Sequence, residues 1–206
     1  MGEVKYLTGA ALSEGGGTQV LQEACICGRK SGGDVQVILA CVFAEHGDIQ
    51  HRLAVEIGEW FQNTLVPMIK NNGTDSLINI CINGIVDRAF SDRINTTEYV
   101  CAIFAGESIV LFKSGCTTGI YSIEDLFGKP MAIPMEPGNA GIMVTVEHGG
   151  SLVLTDCDIT GDKFFVEQIA AGISAVTDEK GLNRFVGEIA QVDGIECKSL
   201  VGIRFL

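Results

Sequence analysis

The side chains best suited to chemistry are a histidine and several carboxylates that follow apolar segments of the sequence. His46 comes shortly after the apolar segment that ends at Phe43, and Asp156 and Asp158 come directly after the one that ends at Thr155. A histidine can exchange a proton near neutral pH. Carboxylate oxygens are the ligands that Mg²⁺ and Mn²⁺ prefer. Acid–base chemistry and hard-metal binding are therefore the two chemistries to consider first.

The other chemistry-bearing residues form no recognisable motif. His51 and His148 are interpreted as surface or turn residues, and no histidine pair or Ser/His/Asp set stands out. Phosphate-binding and dinucleotide-binding glycine motifs are absent, and no Cys-x-x-Cys pair frames a zinc site. Cys25 and Cys27 would share one face of a strand, where core packing is favoured over a redox or metal role. The eight cysteines, mostly inside apolar segments, predict reduced thiols in a cytoplasmic protein.

The composition limits the class of protein. A length of 206 residues fits one domain, residues 1–206. Fourteen basic and 26 acidic residues give a net charge of −12, which predicts no binding to nucleic acid or to anionic membranes. The mean hydropathy of +0.31 predicts a large core. The longest apolar segments, such as Val35–Ala44, are too short to span a bilayer, and no signal peptide is expected.

The first half of the chain is predicted to contain strands followed by helices. Short apolar or β-branched segments separated by glycine turns predict the strands Tyr6–Leu12, Val20–Cys27 and Val35–Phe43. Apolar residues then recur at gaps of three and four from Ile49 to Ile69, which predicts an amphipathic helix that Pro67 could bend near its end. A second helix, capped by Thr74 or Asp75, is expected from Leu77 to Ala89.

The second half is predicted to return to strands before its own helices. The expected strands are Thr96–Phe104, Ser108–Lys113, Gly119–Ile123, Gly141–Glu147, Ser151–Thr155 and Ser199–Leu206. Helices are expected from about Lys163 to Val176 and from Leu182 to Ala190. Strands in runs and helices in blocks favour an α+β fold, with two antiparallel sheets face to face and helices outside.

Short segments beside the strand ends carry a resemblance to a known family. They are Leu21-Gln22-Glu23-Ala24, Val42-Phe43-Ala44-Glu45-His46-Gly47, Thr96-Thr97, Gly115-Cys116-Thr117-Thr118 with Tyr121, Leu152–Thr160, and Glu196-Cys197-Lys198-Ser199. Their order, with the order of strands and helices, resembles the PP2C-type (PPM) metal-dependent Ser/Thr protein phosphatases over nearly the whole chain. The resemblance implies a four-layer αββα sandwich and a reaction that uses two Mn²⁺ or Mg²⁺ ions.

The same resemblance implies that most of the metal ligands are replaced. The family's strand end V-F-D-G-H-G-G places its bridging Asp on Ala44, whose methyl group cannot bind a metal. Other metal-binding Asp positions fall on Glu23 and Glu196, which keep a carboxylate, and on Cys157. Asp156 could replace Cys157 only with a change of register, because neighbouring strand residues face opposite sides. A residual metal site would consist of Glu23, Asp156 and Glu196.

Two further family positions bear on catalysis. His46 corresponds to the family's candidate general acid, which protonates the leaving group. It could equally be a polar turn residue at a strand end. The family's phosphate-binding Arg falls on Thr18, so that contact is lost.

Three interpretations of function stay open from the sequence. The first is a pseudophosphatase that binds or regulates a protein or phosphoprotein partner in bacterial-style signalling. The second is an altered hydrolase with one Mn²⁺ or Mg²⁺ ion held by Glu23, Glu196 and either Asp156 or Asp158. The third is a coincidental resemblance, since a fold does not fix a function.

Overall fold

The computed structural model describes residues 6–12, 25–32, 35–44, 48–74, 77–81, 98–138, 141–144, 149–192 and 199–206. The strands in these ranges are β1 Tyr6–Leu12, β2 Cys25–Gly32, β3 Val35–Phe43, β4 Tyr99–Ala105, β5 Ser108–Ser114, β6 Gly119–Leu126, β7 Lys129–Pro134, β8 Ile142–Val144, β9 Ser151–Thr155 and β10 Ser199–Phe205. The α-helices are α1 Asp48–Trp60, α2 Val66–Asn72, α3 Leu77–Cys81, α4 Lys163–Ala175 and α5 Glu179–Ile189.

The strands form two antiparallel sheets of five. The first sheet has the order β1-β10-β9-β6-β7, and the second has the order β2-β3-β4-β5-β8. The hairpin β6–β7 closes with the two-residue turn Phe127-Gly128, in which both residues have positive φ angles, +58° and +77°. Positive φ at both turn positions is the type I′ geometry that suits the twist of a hairpin.

The two sheets pack face to face between two helical layers. Alternate residues of β3, β4, β5, β6, β9 and β10 form the apolar layer between the sheets, which includes Ile38, Phe104, Leu154 and Ile203. The other face of the second sheet packs against α1, α2 and α3, and the other face of the first sheet packs against α4 and α5. The α+β fold class and the αββα sandwich predicted from the sequence are therefore confirmed.

The long predicted helix after β3 is interrupted by one π-helical turn. This turn, Phe61–Leu65, joins α1 to α2, and Pro67 lies in the first turn of α2. Trp60, Phe61, Leu65 and Ile69 are all buried against the second sheet. Phe61, Leu65 and Ile69 follow one another at intervals of four, and the wider π-helical turn keeps them on the same buried face.

Helix α5 approaches the first sheet closely at two glycines. Gly9 and Gly202 lie opposite each other on β1 and β10, and a Cβ atom at Gly9 would lie 2.9 Å from Cγ of Leu182. A side chain at Gly9 would therefore force α5 away from the sheet. Helix α4 is held at its C-terminal end by Arg204 of β10, whose guanidinium donates to the carbonyl oxygens of Ile173 (2.6 Å) and Ser174.

The observed elements differ from the predicted ones in several places. Strand β2 runs from Cys25 to Gly32 instead of ending at Cys27, and α5 begins at Glu179 instead of Leu182. Strand β7 was not predicted, because Pro130 and Pro134 give the segment the composition of a turn. The predicted segments 20–24, 82–89, 96–97 and 145–147 lie outside the described residues.

None of the helices in the described ranges has the length and apolar character that crossing a bilayer requires. Three of the cysteines, Cys41, Cys81 and Cys101, are buried in the layer between the second sheet and its helices. Burial raises the pKa of the Cys81 thiol. These three cysteines act as small apolar side chains, as predicted, whereas Cys116 is exposed.

Candidate functional site

The apolar layer between the sheets ends in polar residues at one end of the sandwich. On the second sheet, Val42 and Val100 are opposed on β3 and β4 and belong to that layer. Two residues further along, Ala44 and Glu98 are opposed in turn, and the Ala44 amide donates to the Glu98 carbonyl at 3.0 Å. Because side chains alternate along a strand, Ala44 and Glu98 share the inward face with the two valines.

The first sheet contributes a matching row of polar residues. Leu154 belongs to the layer between the sheets, so Asp156 continues the inward face of β9. The Asp156 amide donates to the carbonyl of Ser199 at 3.2 Å, which extends the β9–β10 pairing by one residue. On the other side, the β6–β9 register places Thr118 beside Asp156. Asp156, Ser199 and Thr118 are all buried.

Thr118 is a buried hydroxyl in this row. The residue is fully buried, and its Oγ1 has no hydrogen-bond partner within the part of the chain that the structure describes. A buried hydroxyl without a partner costs roughly 1–3 kcal/mol. This unsatisfied hydroxyl makes the polar end of the sandwich a candidate binding site.

Lys113 of β5 adds a positive charge to the same end. It lies opposite Val100 on the inward face, and its side chain is only 8% exposed. Its Nζ lies 2.6 Å from Oε1 of Glu136, in the segment that follows β7. A buried lysine could not be predicted here, because both faces of β5 are apolar before Lys113 and the alternation alone does not show which face is inward.

Glu98 organises the loop between β5 and β6. Its Oε2 accepts from the Thr117 amide at 2.7 Å and from the Thr117 hydroxyl, and its Oε1 lies 3.9 Å from the Cys116 sulfur. Burial by itself would raise the pKa of the Glu98 carboxyl group. The hydrogen bonds from Thr117 and Cys116 together outweigh burial, so the pKa lies below its usual value. Gly115, with φ +85°, leaves room for the Glu98 side chain, since a Cβ there would clash with it.

Asp158 lies in the loop after β9, where it accepts hydrogen bonds from three donors. They are the Thr160 amide (2.9 Å), the Thr160 hydroxyl (2.8 Å) and the Tyr121 hydroxyl (3.0 Å). The Thr160 hydrogen bonds are the main cause of the lowered pKa of Asp158, and Tyr121 and the charge of Lys113 lower it further. The Tyr121 oxygen also accepts from the amide of Ile159 at 3.0 Å, so this loop is fixed to the sheet.

Asp156 and Cys157 lie on opposite sides of the first sheet. Cys157 packs against the core between that sheet and its helices, and its carbonyl accepts from the Thr155 hydroxyl at 2.7 Å. Asp156 instead continues the inward face. The gap-free resemblance puts the family's metal-binding Asp on Cys157, but the carboxylate that faces the space between the sheets belongs to Asp156.

The other predicted site residues cannot be placed relative to Asp156. Glu23, His46 and Glu196 lie outside the described residues, so their roles as metal ligands and general acid stay predictions. Within the described ranges, no group of three or more His, Cys, Asp or Glu side chains could hold a metal ion. An alanine methyl and a buried ammonium at this end do not fit a pair of divalent ions.

The comparisons with known proteins agree with this architecture. No family model and no curated protein matches the sequence. Among solved structures, the chain is similar to the PP2C phosphatase domain of SpoIIE from Bacillus subtilis, with 14% identity, a TM-score of 0.58 and coverage of 98% of this chain and 64% of that one. The chain thus spans less than two thirds of that structure, which also contains a fragment of a regulatory domain.

Two further structures match along their whole length. PppA, a regulatory component of type VI secretion in Pseudomonas aeruginosa, is 11% identical with a TM-score of 0.57 and full coverage of both chains. The catalytic domain of the Ser/Thr phosphatase PstP, solved with two manganese ions, is 11% identical with a TM-score of 0.55 and 99% coverage of both chains. The fold is therefore that of the PP2C-type phosphatase domains. Identities this low establish the fold alone, and activity has to be argued from the residues.

Proposed function

We propose that residues 1–206 form one PP2C-like domain whose two-metal catalysis is lost, and that it serves as a binding or regulatory module for a protein or phosphoprotein partner. The observation that carries this proposal is the methyl group of Ala44 on the inward face, directly opposite Glu98. The resemblance places the bridging carboxylate of the two ions at this position. A cytoplasmic setting and a role in bacterial signalling are part of the same proposal.

The chemistry explains why this one position matters so much. Two divalent ions, when bound, activate the attacking water and neutralise the phosphoryl oxygens. A ligand that bridges both ions fixes their separation, and a methyl group offers them no electron pair. The buried ammonium of Lys113 adds an unfavourable charge for cations nearby. What remains is a polar end with buried hydroxyls and carboxylates, suited to hydrogen bonding with a partner.

A weakly active hydrolase that depends on Mn²⁺ or Mg²⁺ is the second candidate function. It is favoured by Asp156, which is buried and faces the space between the sheets at the end where Glu23 and Glu196 are expected. Three carboxylates could hold one ion, and His46 would be the candidate general acid. A single ion would leave the phosphoryl oxygens less well neutralised, so turnover would be slow.

Turnover of p-nitrophenyl phosphate separates the two functions. The protein is assayed with MnCl₂ and with chelator, beside the variants Glu23→Ala and Glu196→Ala and the surface control Glu188→Ala. We expect no difference between manganese and chelator in any of the four proteins. Manganese-dependent turnover that both site variants abolish and the control retains would reject the pseudophosphatase in favour of the hydrolase.

The binding function needs its own measurement. Fluorescence anisotropy with labelled phosphoserine and phosphothreonine peptides, each beside its unphosphorylated form, detects binding without hydrolysis. A thermal-shift titration with MnCl₂ completes the set, because an ion that binds the native state raises the melting temperature. A manganese-dependent shift abolished by Asp156→Asn would support the single-ion hydrolase.

A further inference from the structure

We propose that the ammonium group of Lys113 is the resident cation of this end of the sandwich. It supplies the positive charge that the carboxylates at this end would otherwise receive from a divalent ion. The inference deepens the proposed function, on which it rests, because it gives a physical reason why the domain would work without a metal. It concerns the stability of the fold and is tested separately from catalysis.

The position of Lys113 is the first argument. Ile109 and Leu111 of β5 lie in the apolar layer between the sheets, and Lys113 continues the same alternation. It is one residue pair deeper than Ala44 and Glu98, since it lies opposite Val100. A lysine that is 8% exposed is rare, and an unpaired ammonium in such a place would be strongly unfavourable.

The surrounding charges are the second argument. Glu136, which is 70% exposed, holds the ammonium at 2.6 Å from the segment after β7. Asp156 and Glu98 lie in the neighbouring rows of the two sheets. Carboxyl groups from three segments, before β4, after β7 and after β9, thus lie at the same end of the sandwich as this ammonium.

The same residue also links the two sheets. The Lys113 amide donates to the Gly138 carbonyl at 3.2 Å, and the Met135 amide donates to the Ile120 carbonyl at 2.8 Å. Residues 135–138 therefore pass from β6 of the first sheet to β5 of the second, and the Lys113–Glu136 pair lies at the middle of this crossing. An ammonium can hold carboxylates together in this way, but it cannot ligate and activate a water as a divalent ion does.

Urea unfolding of Lys113→Met tests the inference. Methionine keeps most of the length and apolar volume of the side chain and removes only the charge. The exposed lysine of α2 provides the control, Lys70→Met. Each protein is unfolded in chelator, in millimolar MnCl₂ and in NaCl of the same ionic strength. We expect Lys113→Met to unfold at lower urea in chelator and to recover part of the loss in MnCl₂ but not in NaCl, whereas the native protein and Lys70→Met do not respond to manganese.

Equal responses of the native protein and Lys113→Met to manganese would overturn the inference, and so would a loss in Lys113→Met that manganese does not restore. If Lys113→Met is recovered unfolded, its far-UV circular dichroism is measured before and after MnCl₂ is added. Folding upon addition supports the resident cation, and no folding overturns it. Because these readouts measure stability, they stay distinct from manganese-dependent turnover, which tests the proposed function.

Discussion

Ala44 and Glu98 are a hydrogen-bonded pair of directly opposed residues at the end of β3 and β4, with their amide and carbonyl 3.0 Å apart. Both side chains face the space between the sheets. A methyl group therefore stands beside a carboxylate that is already engaged by the Thr117 amide and hydroxyl. At this end of the second sheet, a bound ion would therefore meet one methyl group and one carboxylate that is already hydrogen-bonded.

Replacing Ala44 with Asp should destabilise the protein in the absence of metal. The new carboxylate would lie directly across from Glu98, and like charges in opposed strand positions are unfavourable, by roughly 0.2–1 kcal/mol. A divalent ion between the two carboxylates would relieve the repulsion. We expect urea unfolding to show a loss for Ala44→Asp in chelator and a smaller loss in MnCl₂.

The matched control for this prediction is Ala44→Asn, which has nearly the same shape without the charge. Its unfolding should be insensitive to manganese. The same response to manganese in both variants would mean that the new carboxylate does not reach the ion, and the assignment of Ala44 to the metal-facing side would be wrong.

The site could be predicted from the sequence only in part. Ala44 and Asp156 were found because they lie in segments that resemble the family's metal-binding motifs, each directly after an apolar strand. Lys113 was missed because β5 is apolar on both faces, and the sequence then does not show which face is inward. Thr118 was missed because it lies just before β6, and its direction follows only from the register between β6 and β9. Deciding that face requires the register between strands, which depends on contacts far apart in the chain.

Two glycine substitutions should have effects of opposite sign. A Cβ at Gly119 would clash with Cε2 of Tyr121 and would lie 2.7 Å from Oγ1 of Thr155. Because hydrogen bonds to Ile159 and Asp158 hold the tyrosine ring, we expect Gly119→Ala to cost about 1–3 kcal/mol in urea unfolding.

Gly187→Ala is the paired substitution. Gly187 lies inside α5, and a Cβ there would meet nothing within 4 Å. Alanine in a helix should stabilise by roughly 0.5–1 kcal/mol relative to glycine. Destabilisation by both variants would indicate a packing around α5 different from the one described.

The turn Phe127-Gly128 should be improvable by design. Phe127 is fully exposed and has a φ of +58°, which costs a residue with a Cβ roughly 1–2 kcal/mol. Asparagine tolerates this conformation, and Asn-Gly is the preferred pair for a type I′ turn. We expect Phe127→Asn to stabilise by about 1 kcal/mol and Phe127→Ala, which keeps the strained backbone, to change stability little. Equal gains from both would assign the effect to the exposed ring.

More of the fold than of the site could be predicted from the sequence. Strands β1, β3 and β9 have the predicted bounds because each is a compact apolar segment between turns. Strand β7 was not predicted because proline usually interrupts a sheet. The hairpin register explains its prolines, since Leu126 pairs with Lys129 in the two-residue turn and Pro130 and Pro134 then fall at positions that donate no hydrogen bond to β6. The positions of the prolines in the hairpin can be derived only once the turn is known, and Phe-Gly is an unusual sequence for a two-residue turn.

The last prediction concerns the pH dependence of stability through Asp158. Hydrogen bonds from Thr160, followed by Tyr121, lower its pKa in the folded protein relative to the value of about 3.9 for an unfolded chain. A carboxyl group with a lowered folded pKa contributes stability that is present above the unfolded pKa and is lost as the pH falls through the folded pKa. Removing a hydrogen bond to the carboxylate should therefore shrink this contribution.

Thr160→Val removes the hydroxyl and keeps the amide, so it should raise the pKa of Asp158 part of the way to its usual value. Carboxyl-carbon NMR titration measures that pKa directly in both proteins. In urea unfolding, the native protein should lose stability more steeply than Thr160→Val as the pH falls below the usual aspartate range, because it has the larger shift to lose. In an Asp158→Asn background the two slopes should coincide. An unchanged pKa in Thr160→Val would mean that the Thr160 hydroxyl has no part in lowering it.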